Sequence, residues 1–382
     1  MATARGHTFA VNSSEVSGAL GDLGTLLPIT LGAIAVMGLS PAPVILGFAV
    51  FYLATALYYR LPIPVQPMKV VAAVMLTAGL TPAGLAASGV MIGVALIVLG
   101  CTGWINSVGR LIPQSVLSGL QFGLGIVLAL MSLDLMASAP FVGGVTLMAV
   151  LGCLLVPRYP AALVGLAVAA ALAWSLGAPG IQVATVASGW ISVPSVPSLM
   201  ELERALSTLV LPQLPLTLTN AAVLTALLAG SYYGDRAAHV TPARLSLSSG
   251  FANVFLTPLG AIPMCHGAGG LAAHHRFGAR TGTAPLLIGL GLIIFLLLPH
   301  GAGAAILAAM PLAGLGALLM VAAGELALTK RLFDCKPSCW PVIAITAGLT
   351  VWLDPFWALV GGSVAEAMRA LIVRRLVRNT GV

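Results

Sequence analysis

The sequence predicts an all-α polytopic membrane protein with fourteen transmembrane spans, built as two inverted repeats of seven spans each. Three observations lead to this prediction. Hydrophobic residues fill 59% of the 382 positions and charged residues only 7%, with a mean hydropathy of +1.07. Basic residues cluster at alternate ends of the apolar segments. Finally, two short segments interrupted by proline recur half a chain apart.

The composition excludes an ordinary soluble protein, because a soluble chain of this size needs roughly a quarter of its residues charged. A membrane-spanning helix needs ~20 residues, so the chain has room for about 12 to 14 spans. The N-terminal segment, Met1 to Ser14, is short and polar, and the first apolar run already contains Asp22 and Pro28. We therefore expect no cleavable signal peptide.

The apolar segments predict two repeats separated by a polar, Pro- and Ser-containing segment at 178–210, which we expect outside the cytoplasm. The first repeat, 1–177, holds spans 1 to 7 at 17–38, 42–59, 62–77, 83–104, 112–134, 140–156 and 160–177. The second repeat, 211–382, holds spans 8 to 14 at 211–232, 243–258, 261–275, 283–299, 303–326, 338–351 and 352–370.

The basic residues test this count. If the N-terminus is cytoplasmic, the ends of even-numbered spans and the two terminal regions hold 15 of the 17 Lys and Arg residues. These are Arg5, Arg60, Arg110, Arg158, Arg236, Arg244, Arg276, Arg280, Lys330, Arg331, Lys336, Arg369, Arg374, Arg375 and Arg378. Only Lys69, inside span 3, and Arg204 fall elsewhere. The positive-inside rule predicts such a bias, so we read the net charge of +7 as topology and expect both termini in the cytoplasm. The expected location is the inner (plasma) membrane of a bacterium.

Spans 3 and 10 do not resemble ordinary lipid-facing helices. Span 3 begins Leu61-Pro-Ile-Pro-Val-Gln-Pro-Met-Lys69, and span 10 begins Ala261-Ile-Pro-Met-Cys-His-Gly-Ala-Gly-Gly270. An offset of 199 residues aligns Ile63-Pro64 with Ile262-Pro263. Because seven spans per half is an odd number, the two halves must insert in opposite orientations. Interrupted helices at equivalent positions of inverted repeats indicate the substrate site of a transporter.

These two segments predict a site for an anion. Proline disfavours helix in the residue before it, so 61–66 and 260–265 should be extended. The helices should then begin near 66–68 and near 266 or 267. Two helix N-termini that face each other present unpaired N–H groups and partial positive charge, which favour an anion. Glycines at 267, 269 and 270 would let the backbone approach the ligand closely.

Three side chains near these helix starts have alternative interpretations. Lys69 either helps to balance the charge of a dianion or pairs with Asp22 or backbone carbonyls, because a charge inside a span is costly unless it is used. His266 either donates a hydrogen bond to an oxyanion or is a core histidine bonded to a carbonyl. His274 and His275, just before Arg276, are expected at the membrane interface. No zinc-binding spacing links the histidines.

Further polar residues lie in spans 1 and 8. Asp22 is the only acid in the first four spans, and it could pair with Lys69, carry a coupling proton or bond to backbone. Thr217 and Asn220 could donate hydrogen bonds to ligand oxygens or make contacts between helices. Gln121 and Asn253 are expected to be packing contacts. The cysteines Cys335 and Cys339 form a CxxxC without a second ligand pair, so neither a metal nor a cofactor is expected.

The motifs resemble a known family. Gly21-Asp-Leu-Gly-Thr25, Pro64-Val-Gln-Pro-Met-Lys69 and Pro263-Met-Cys-His-Gly-Ala-Gly-Gly-Leu271, followed by Arg276-Phe-Gly278, look like the molybdate transporter branch related to the sulfate permease (SulP) superfamily. The resemblance implies the UraA-like fold, with a core domain (spans 1–4 and 8–11) and a gate domain (spans 5–7 and 12–14). It also implies substrate between spans 3 and 10, and often a homodimer.

The residue patterns and the resemblance together give one set of candidate site residues. The substrate-binding set is Gln66, Pro67, Met68, Lys69, Thr217, Asn220, Cys265, His266, Gly267, Ala268, Gly269 and Gly270. Asp22 and Thr25 are assigned a coupling or structural role. Sulfate permeases usually carry a cytoplasmic STAS domain, whereas only about a dozen residues follow span 14 here, so no STAS domain is expected.

The expected function is uptake of molybdate by a secondary transporter, through an elevator-like movement of the core against the gate. Molybdate and sulfate are both tetrahedral dianions, so residue types do not separate them, and the choice of molybdate rests on the resemblance alone. The alternatives are a sulfate or other oxyanion permease of the same fold, and a passive anion channel. A membrane-embedded enzyme is disfavoured because no metal spacing or nucleophile–base pair is present.

Overall fold

The computed structural model describes residues 9–77, 80–105, 112–156, 160–177, 180, 189–299 and 302–380, and these are mostly helical. The helices of the first half are α1 (Ser13–Met37), α2 (Pro41–Tyr59), α3 (Lys69–Thr77), α4 (Pro82–Thr102), α5 (Gln114–Ala137), α6 (Pro140–Leu155) and α7 (Ala161–Leu176). The second half contains α8 (Leu199–Ala237), α9 (Pro242–Leu256), α10 (Ala268–Arg276), α11 (Thr283–Leu296), α12 (Ala302–Ala308), α13 (Leu312–Ala327), α14 (Trp340–Trp352) and α15 (Pro355–Thr380).

Local sequence explains many of these helix ends. The Asn12 side chain caps α1 by accepting a hydrogen bond from the amide of Glu15, and α1 ends at Gly38 in a left-handed conformation. Thr81 caps α4 in the same way and Pro82 fills its first position, where the missing N–H does no harm. The boundaries therefore follow ordinary capping chemistry.

Many of the helices suit a membrane by length and composition. Among the described residues, α1, α2, α4, α5, α8 and the Pro355–Arg375 part of α15 are long and apolar enough to span one. Five shorter apolar helices join them: α6, α7, α11, α13 and the segment Pro337–Trp352 that contains α14. The protein is thus a predominantly helical membrane protein, as its composition predicts.

Two element boundaries differ from the prediction. Helix α8 begins at Leu199, so part of the segment predicted to separate the halves, 178–210, is helical. Ser198 and Glu201 form a capping box that starts this helix. The helix then continues through Pro212 and Pro215 because π-helical turns at Ala205–Val210 and Thr217–Leu224 flank the prolines.

The second difference is in predicted span 12, which the structure divides into α12 and α13. Pro311 lies between the two helices, directly before Leu312 at the start of α13. Proline has no amide hydrogen to donate to the preceding turn of a helix, and its fixed φ angle suits the position just before a new helix. The backbone of Pro311 instead pairs with Gly180 in an isolated bridge.

The helices pack so that the two short half-helices, α3 and α10, lie near the middle of the molecule. Helix α1 contacts both α3 and α10, and it also packs against α13. Helix α5 packs closely against α13 and α14, while α4 packs against α9. At the α4–α9 crossing the backbones approach each other at Gly93 and Gly250, where an added Cβ on either would lie 2.8 Å from the other's carbonyl oxygen. Small residues allow such close helix contacts.

Candidate functional site

The two interrupted segments pair with each other. Strand β1 (Gln66–Pro67) lies antiparallel to β2 (Met264–Cys265), with Gln66 opposite Cys265. The amide of Met68 extends the pairing by donating to the carbonyl of Pro263 at 3.0 Å. The pairing brings together residues about 200 positions apart and holds the starts of α3 and α10 side by side.

Both half-helices begin with free amides. Helix α3 begins at Lys69 and α10 at Ala268, after Gly267 as its N-cap, which is close to the starts that the prolines predict. Among the described residues, no acceptor bonds the amides of Lys69, Val71, Ala268, Gly269 or Gly270. Each helix also presents a partial charge of about +0.5 at its N-terminus. The paired starts therefore favour a negatively charged ligand.

Two neutral amide side chains hold these segments in place. Asn253 of α9 donates to the carbonyl of Met264 at 2.6 Å and accepts from its amide at 2.9 Å, which fixes β2. Gln213 of α8 accepts from the amide of Val70 at 2.8 Å, and its own NH₂ donates to the hydroxyl of Thr217 at 2.8 Å. One of the first-turn amides of α3 is therefore already used by the protein.

His266 is fully buried and both of its ring nitrogens have partners. Nδ1 lies 2.9 Å from the carbonyl of Pro64, and Nε2 lies 2.7 Å from the hydroxyl of Ser248, which also contacts the hydroxyl of Tyr59 at 2.8 Å. Because a carbonyl can only accept, Nδ1 carries hydrogen. The structure thus shows the second of the two alternatives for this residue, a core histidine bonded to a carbonyl, and leaves no ring nitrogen for an oxyanion.

Asp22 is fully buried at the centre of a polar cluster. Its Oδ2 accepts from the hydroxyl of Tyr52 at 2.6 Å, and its Oδ1 accepts from the amide of Gln66 at 3.1 Å. Nε2 of His274 lies 3.2 Å from Oδ2. The alternative in which Asp22 pairs with Lys69 is corrected here, because the cation within 4 Å of Asp22 among the described residues is His274.

His274 is buried inside the protein, whereas the sequence predicted a residue at the membrane interface. It is completely buried, and its Nδ1 bonds to the carbonyl of Gly18 in α1 at 3.0 Å. Helix α10 packs along α1, and this contact turns His274 inward. His275, one position later, points elsewhere and stacks on Tyr232 with 4.0 Å between ring centroids. Neighbours on a short helix face different sides, and tertiary packing decides which side is buried.

A cavity of about 370 Å³ adjoins the starts of the half-helices. We call it the main cavity; its lining includes Leu20, Gly21, Gln66, Pro67, Lys69, Leu128, Val150, Ala162, Gly269, Arg276, Leu318 and Glu325. These residues come from α1, α3 and α10 on one side and from α5, α6, α7 and α13 on the other. The cavity has the size of a small-molecule site and combines apolar walls with a few polar groups.

Lys69 is the charged group of the main cavity that lies at a helix start. It is half-buried, and among the described residues no hydrogen bond or ion pair within 4 Å involves its ammonium group. Arg276 and Glu325 line the same cavity. Glu325 interacts electrostatically with Lys69. A charge at this depth is costly unless it is used, and the ammonium group borders the cavity where it can also receive an anionic ligand.

A much smaller gap lies on the other side of β1. It has a volume of about 10 Å³ and is lined by Gln66, Pro67, Lys69, Gln121, Gln213, Leu216, Thr217, Asn220, Ala221, Cys265, His266 and Gly267. A space of ~10–15 Å³ holds at most one water molecule. Thr217, Asn220 and Cys265 therefore reach an oxyanion only if the gap widens, whereas Gln66, Pro67 and Lys69 also line the main cavity.

Other predicted site residues have different surroundings. The side chains of Met68 and Ala268 are buried and line neither space among the described residues. Gly269 faces open space, since an added Cβ there would meet nothing within 4 Å. Added Cβ atoms on Gly267 and Gly270 would collide with the Gln66 amide, and at Gly270 also with Asp22. The side chain of Thr25 lies outside the part of the chain that the structure describes.

We expect Gly270→Ala to destabilise the protein. The new methyl group would overlap Asp22 and Gln66 and would lie 2.7 Å from Cβ of Pro64, so the cluster would have to move. Overpacking of this kind costs about 1–3 kcal/mol. Thermal unfolding in detergent should show a lower Tm. The matched control is Gly291→Ala in α11, where nothing lies within 4 Å of an added Cβ. Equal Tm values for the two variants would contradict the close packing at Gly270.

The sequence did not indicate three residues of the site as individual candidates. Tyr52 looked like an ordinary aromatic residue of an apolar span, and Glu325 lies near the end of a span. Gln213 was noted only within a polar stretch. The available signal was the same for all three: a polar group inside an apolar segment, which usually has a buried partner or lines a cavity. The partners themselves depend on the fold.

Comparisons with characterised proteins support a transporter. The chain is 28% identical to "Molybdate transporter 2" of Arabidopsis thaliana, over 88% of this chain and 82% of that protein. It is 27% identical to "Molybdate transporter 1" of the same plant, covering 89% of this chain and 84% of that protein. It is also 29% identical to "Molybdate transporter 1" of Chlamydomonas reinhardtii, covering 89% and 88%. These relatives are transporters and not enzymes, in agreement with the sequence-based prediction.

Solved structures show the fold. The transmembrane domain of a cyanobacterium bicarbonate transporter, BicA, matches with a TM-score of 0.69 at 16% identity, over 91% of this chain and 97% of that chain. The murine Solute Carrier 26 family member A9 anion transporter in the inward-facing state matches with a TM-score of 0.70 at 15% identity, over 95% and 69%. The fold is therefore of the SulP type, as the resemblance of the motifs implies.

A family model described as "Molybdate transporter of MFS superfamily" matches residues 14–128 and 205–326. The two matched ranges cover more than half of the chain and include β1, β2 and both half-helices. Although the description names the MFS superfamily, the solved structures that match are the anion transporters above. The chain is an integral membrane transporter and belongs to this molybdate transporter family.

Proposed function

We propose that this protein takes up molybdate by alternating access, and that the dianion binds beside Lys69 at the paired N-termini of α3 and α10. One observation carries the proposal. The β1–β2 pair holds two helix starts with free amides next to an ammonium group that has no ion-pair partner within 4 Å among the described residues. Lys69 at the start of α3 and Gly269 in the first turn of α10 border the main cavity. The relatives named molybdate transporters favour molybdate as the dianion.

The proposed site has the right charge for a dianion. Each helix N-terminus contributes about +0.5, and Lys69 contributes a full charge, so together they come close to balancing a charge of −2. Asp22 and His266 are engaged with other protein groups. Glu325 lines the same cavity and interacts electrostatically with Lys69, so it offsets part of this positive charge when it is ionised. Gln66 reaches the same space and can orient the ligand through its amide.

The topology that we propose has fourteen spans with both termini in the cytoplasm of a bacterium. The described helices can be assigned to it one by one if α3, α9 and α10 each count as a span and α12 with α13 counts as one. Residues 1–177 and 211–382 would then be the inverted repeats, and the antiparallel pairing of β1 with β2 is consistent with opposite insertion. Arg276 would mark the cytoplasmic side of the main cavity.

The movement that we propose is an elevator-like shift of a core domain, α1–α4 and α8–α11, against a gate domain, α5–α7 and α12–α15. The main cavity supports this division because helices of both groups line it. The half-helices, and hence the proposed anion site, would travel with the core. We further propose a homodimer, by analogy with the family resemblance.

The experiment that tests the proposed function measures uptake of labelled molybdate into proteoliposomes that contain the purified protein. We expect saturable uptake that an equal concentration of sulfate does not suppress. Gln66→Ala should weaken binding about 10-fold or more, because it removes a hydrogen bond to a charged group, typically worth about 1.5–3 kcal/mol.

Three outcomes would contradict the proposal. Displacement of molybdate by equimolar sulfate would indicate an oxyanion permease without molybdate selectivity. Normal uptake by Gln66→Ala would count against the position of the site. Electrically detectable conductance without saturation would instead indicate a passive channel.

A further inference from the structure

We propose that Asp22 and His274 form a proton-binding site directly behind the anion site, and that a proton taken up there accompanies the anion through the transport cycle. This inference rests on the proposed function, because it concerns what drives the same anion. It is carried by the hydrogen-bond geometry of four fully or almost fully buried side chains: Asp22, Tyr52, Gln66 and His274.

The ring of His274 lies between the carbonyl of Gly18 and the carboxyl group of Asp22. Its Nδ1 lies 3.0 Å from the carbonyl oxygen of Gly18, and a carbonyl can only accept, so Nδ1 carries hydrogen. Its Nε2 lies 3.2 Å from Oδ2 of Asp22 and has no hydrogen-bond partner among the described residues. If neither Nε2 nor Oδ2 carried hydrogen, two lone pairs would face each other in the core. One proton is therefore needed between these two atoms.

The hydroxyl of Tyr52 also contacts the carboxyl group of Asp22. The oxygen of Tyr52 lies 2.6 Å from Oδ2 of Asp22 and 2.7 Å from the carbonyl of Val65. A phenol has a single hydrogen, which Tyr52 can donate to Oδ2 or to Val65 but not to both at once. Tyr52 therefore does not supply the hydrogen that is needed between Oδ2 and Nε2 of His274.

The shared proton decides the charge of the pair. With it, Asp22 and His274 are neutral together; without it they carry −1. Among the described residues, the titratable side chains in contact with Asp22 include Tyr52 from α2 and His274 from α10, and β1 contributes the neutral Gln66. The ion pair that the described residues form with Asp22 is the one with His274. Burying an unbalanced charge is strongly unfavourable, so the fold favours the protonated pair.

Gln66 connects Asp22 to the proposed anion site. Gln66 donates to Oδ1 of Asp22 at 3.1 Å and lines the main cavity beside Lys69. Gly270, in the first turn of α10, packs against both Asp22 and Gln66. A negative charge on Asp22 would therefore lie immediately behind the place where a dianion binds and would repel it.

Proton and anion should consequently bind cooperatively. If protonation favours anion binding, anion binding must favour protonation by the same factor, and typical couplings of this kind are about 5- to 150-fold. No bond other than those to the shared proton changes in this step. A transporter that moves both together uses an inward proton gradient to accumulate the anion. Proton-coupled uptake of this kind runs in one direction and needs no second anion in exchange.

The experiment compares two modes of transport in proteoliposomes: exchange of labelled for unlabelled molybdate at equal pH, and net uptake with and without an inward proton gradient. We expect the gradient to stimulate net uptake by wild-type protein. His274→Gln replaces the imidazole by an amide that cannot take up a proton. It should lose most of the stimulation by the gradient, measured as net uptake relative to the exchange rate of the same variant. His275→Gln is the matched control, because His275 stacks on Tyr232 away from Asp22 and should leave both modes unchanged.

The outcomes separate this inference from the proposed function. Absence of molybdate exchange in wild-type protein would overturn the proposed function and with it the coupling. Exchange without any effect of the gradient would overturn the coupling alone, and so would a full gradient effect in His274→Gln. The substrate is identical in every sample, so its own protonation cannot explain a difference between variants.

A second measurement does not depend on the folding of any variant. Purified wild-type protein in weakly buffered detergent solution is mixed with molybdate, and a pH-sensitive dye reports the protons taken up. We expect proton uptake that follows the binding curve at some pH between about 5 and 8, the range in which histidine charge usually changes. Binding without proton uptake throughout that range would overturn the inference.

Discussion

Replacing Lys69 by methionine is expected to reduce molybdate uptake by about 100-fold or more. The substitution keeps a long apolar stem and removes the ammonium group that borders the main cavity at the start of α3. Two unit charges 4 Å apart interact by about 4 kcal/mol at an effective dielectric constant of 20, and a dianion doubles that charge. A loss of about 2.7 kcal/mol already corresponds to 100-fold.

The controls for this prediction are variants of the same residue and of another lysine. Lys69→Arg keeps the charge and should retain more uptake than Lys69→Met, although the planar guanidinium group differs in shape from an ammonium group. Lys330→Met removes an exposed lysine that does not line the main cavity and should have little effect. Initial rates of labelled uptake at several concentrations give the comparison. Wild-type rates in Lys69→Met would remove Lys69 from the site.

The second large effect is expected for stability, with Asp22→Ala. This substitution removes the acceptor of hydrogen bonds from Tyr52 and Gln66 and the partner of His274, all of them buried. Removal of one member of a buried ionic or hydrogen-bonded cluster typically destabilises a protein by about 3–5 kcal/mol. We therefore expect a large drop in Tm and poor yield after detergent extraction.

Asp22→Asn is the informative companion, because it keeps the shape and most hydrogen bonds and resembles the protonated carboxyl group. It should be considerably more stable than Asp22→Ala. Asp134→Ala removes an exposed acid from α5 and should leave the Tm nearly unchanged. If Asp22→Ala unfolded at the wild-type temperature, the cluster would have no structural role.

Much of the site could be predicted because its local signals are strong. The prolines at 64, 67 and 263 exclude helix before the half-helices, and the actual starts, Lys69 and Ala268, lie within a few residues of the predicted ones. The two segments that the 199-residue offset relates pair antiparallel in the structure, with Gln66 opposite Cys265. The backbone conformation of these segments depends on residues that are near each other in sequence, so the sequence alone predicts it.

The partners of the polar side chains could not be predicted, because they come from distant parts of the chain. His274 bonds to Gly18, 256 positions away, and His266 bonds to Pro64, 202 positions away. Sequence periodicity indicates that a residue on a short helix can face inward, but not which helix it will meet. The prediction for His274 failed for this reason, and the role of His266 stayed open.

The start of α8 was missed for a different reason. Ser198 and Glu201 have the spacing of a capping box, which is visible in the sequence. The polar, Pro- and Ser-containing character of 178–210 instead predicted a segment that separates the halves. Proline usually ends a helix, but π-helical turns allow this one to continue.

The most direct test of the central claim is the position of the bound anion. Crystals grown with molybdate can be measured at X-ray energies on either side of a molybdenum absorption edge, and the difference locates the metal atom without reference to the protein. We predict one strong peak between the starts of α3 and α10, within hydrogen-bond reach of Lys69 and the first-turn amides of α10. A strong peak elsewhere in the protein, with none at this position, would contradict the account.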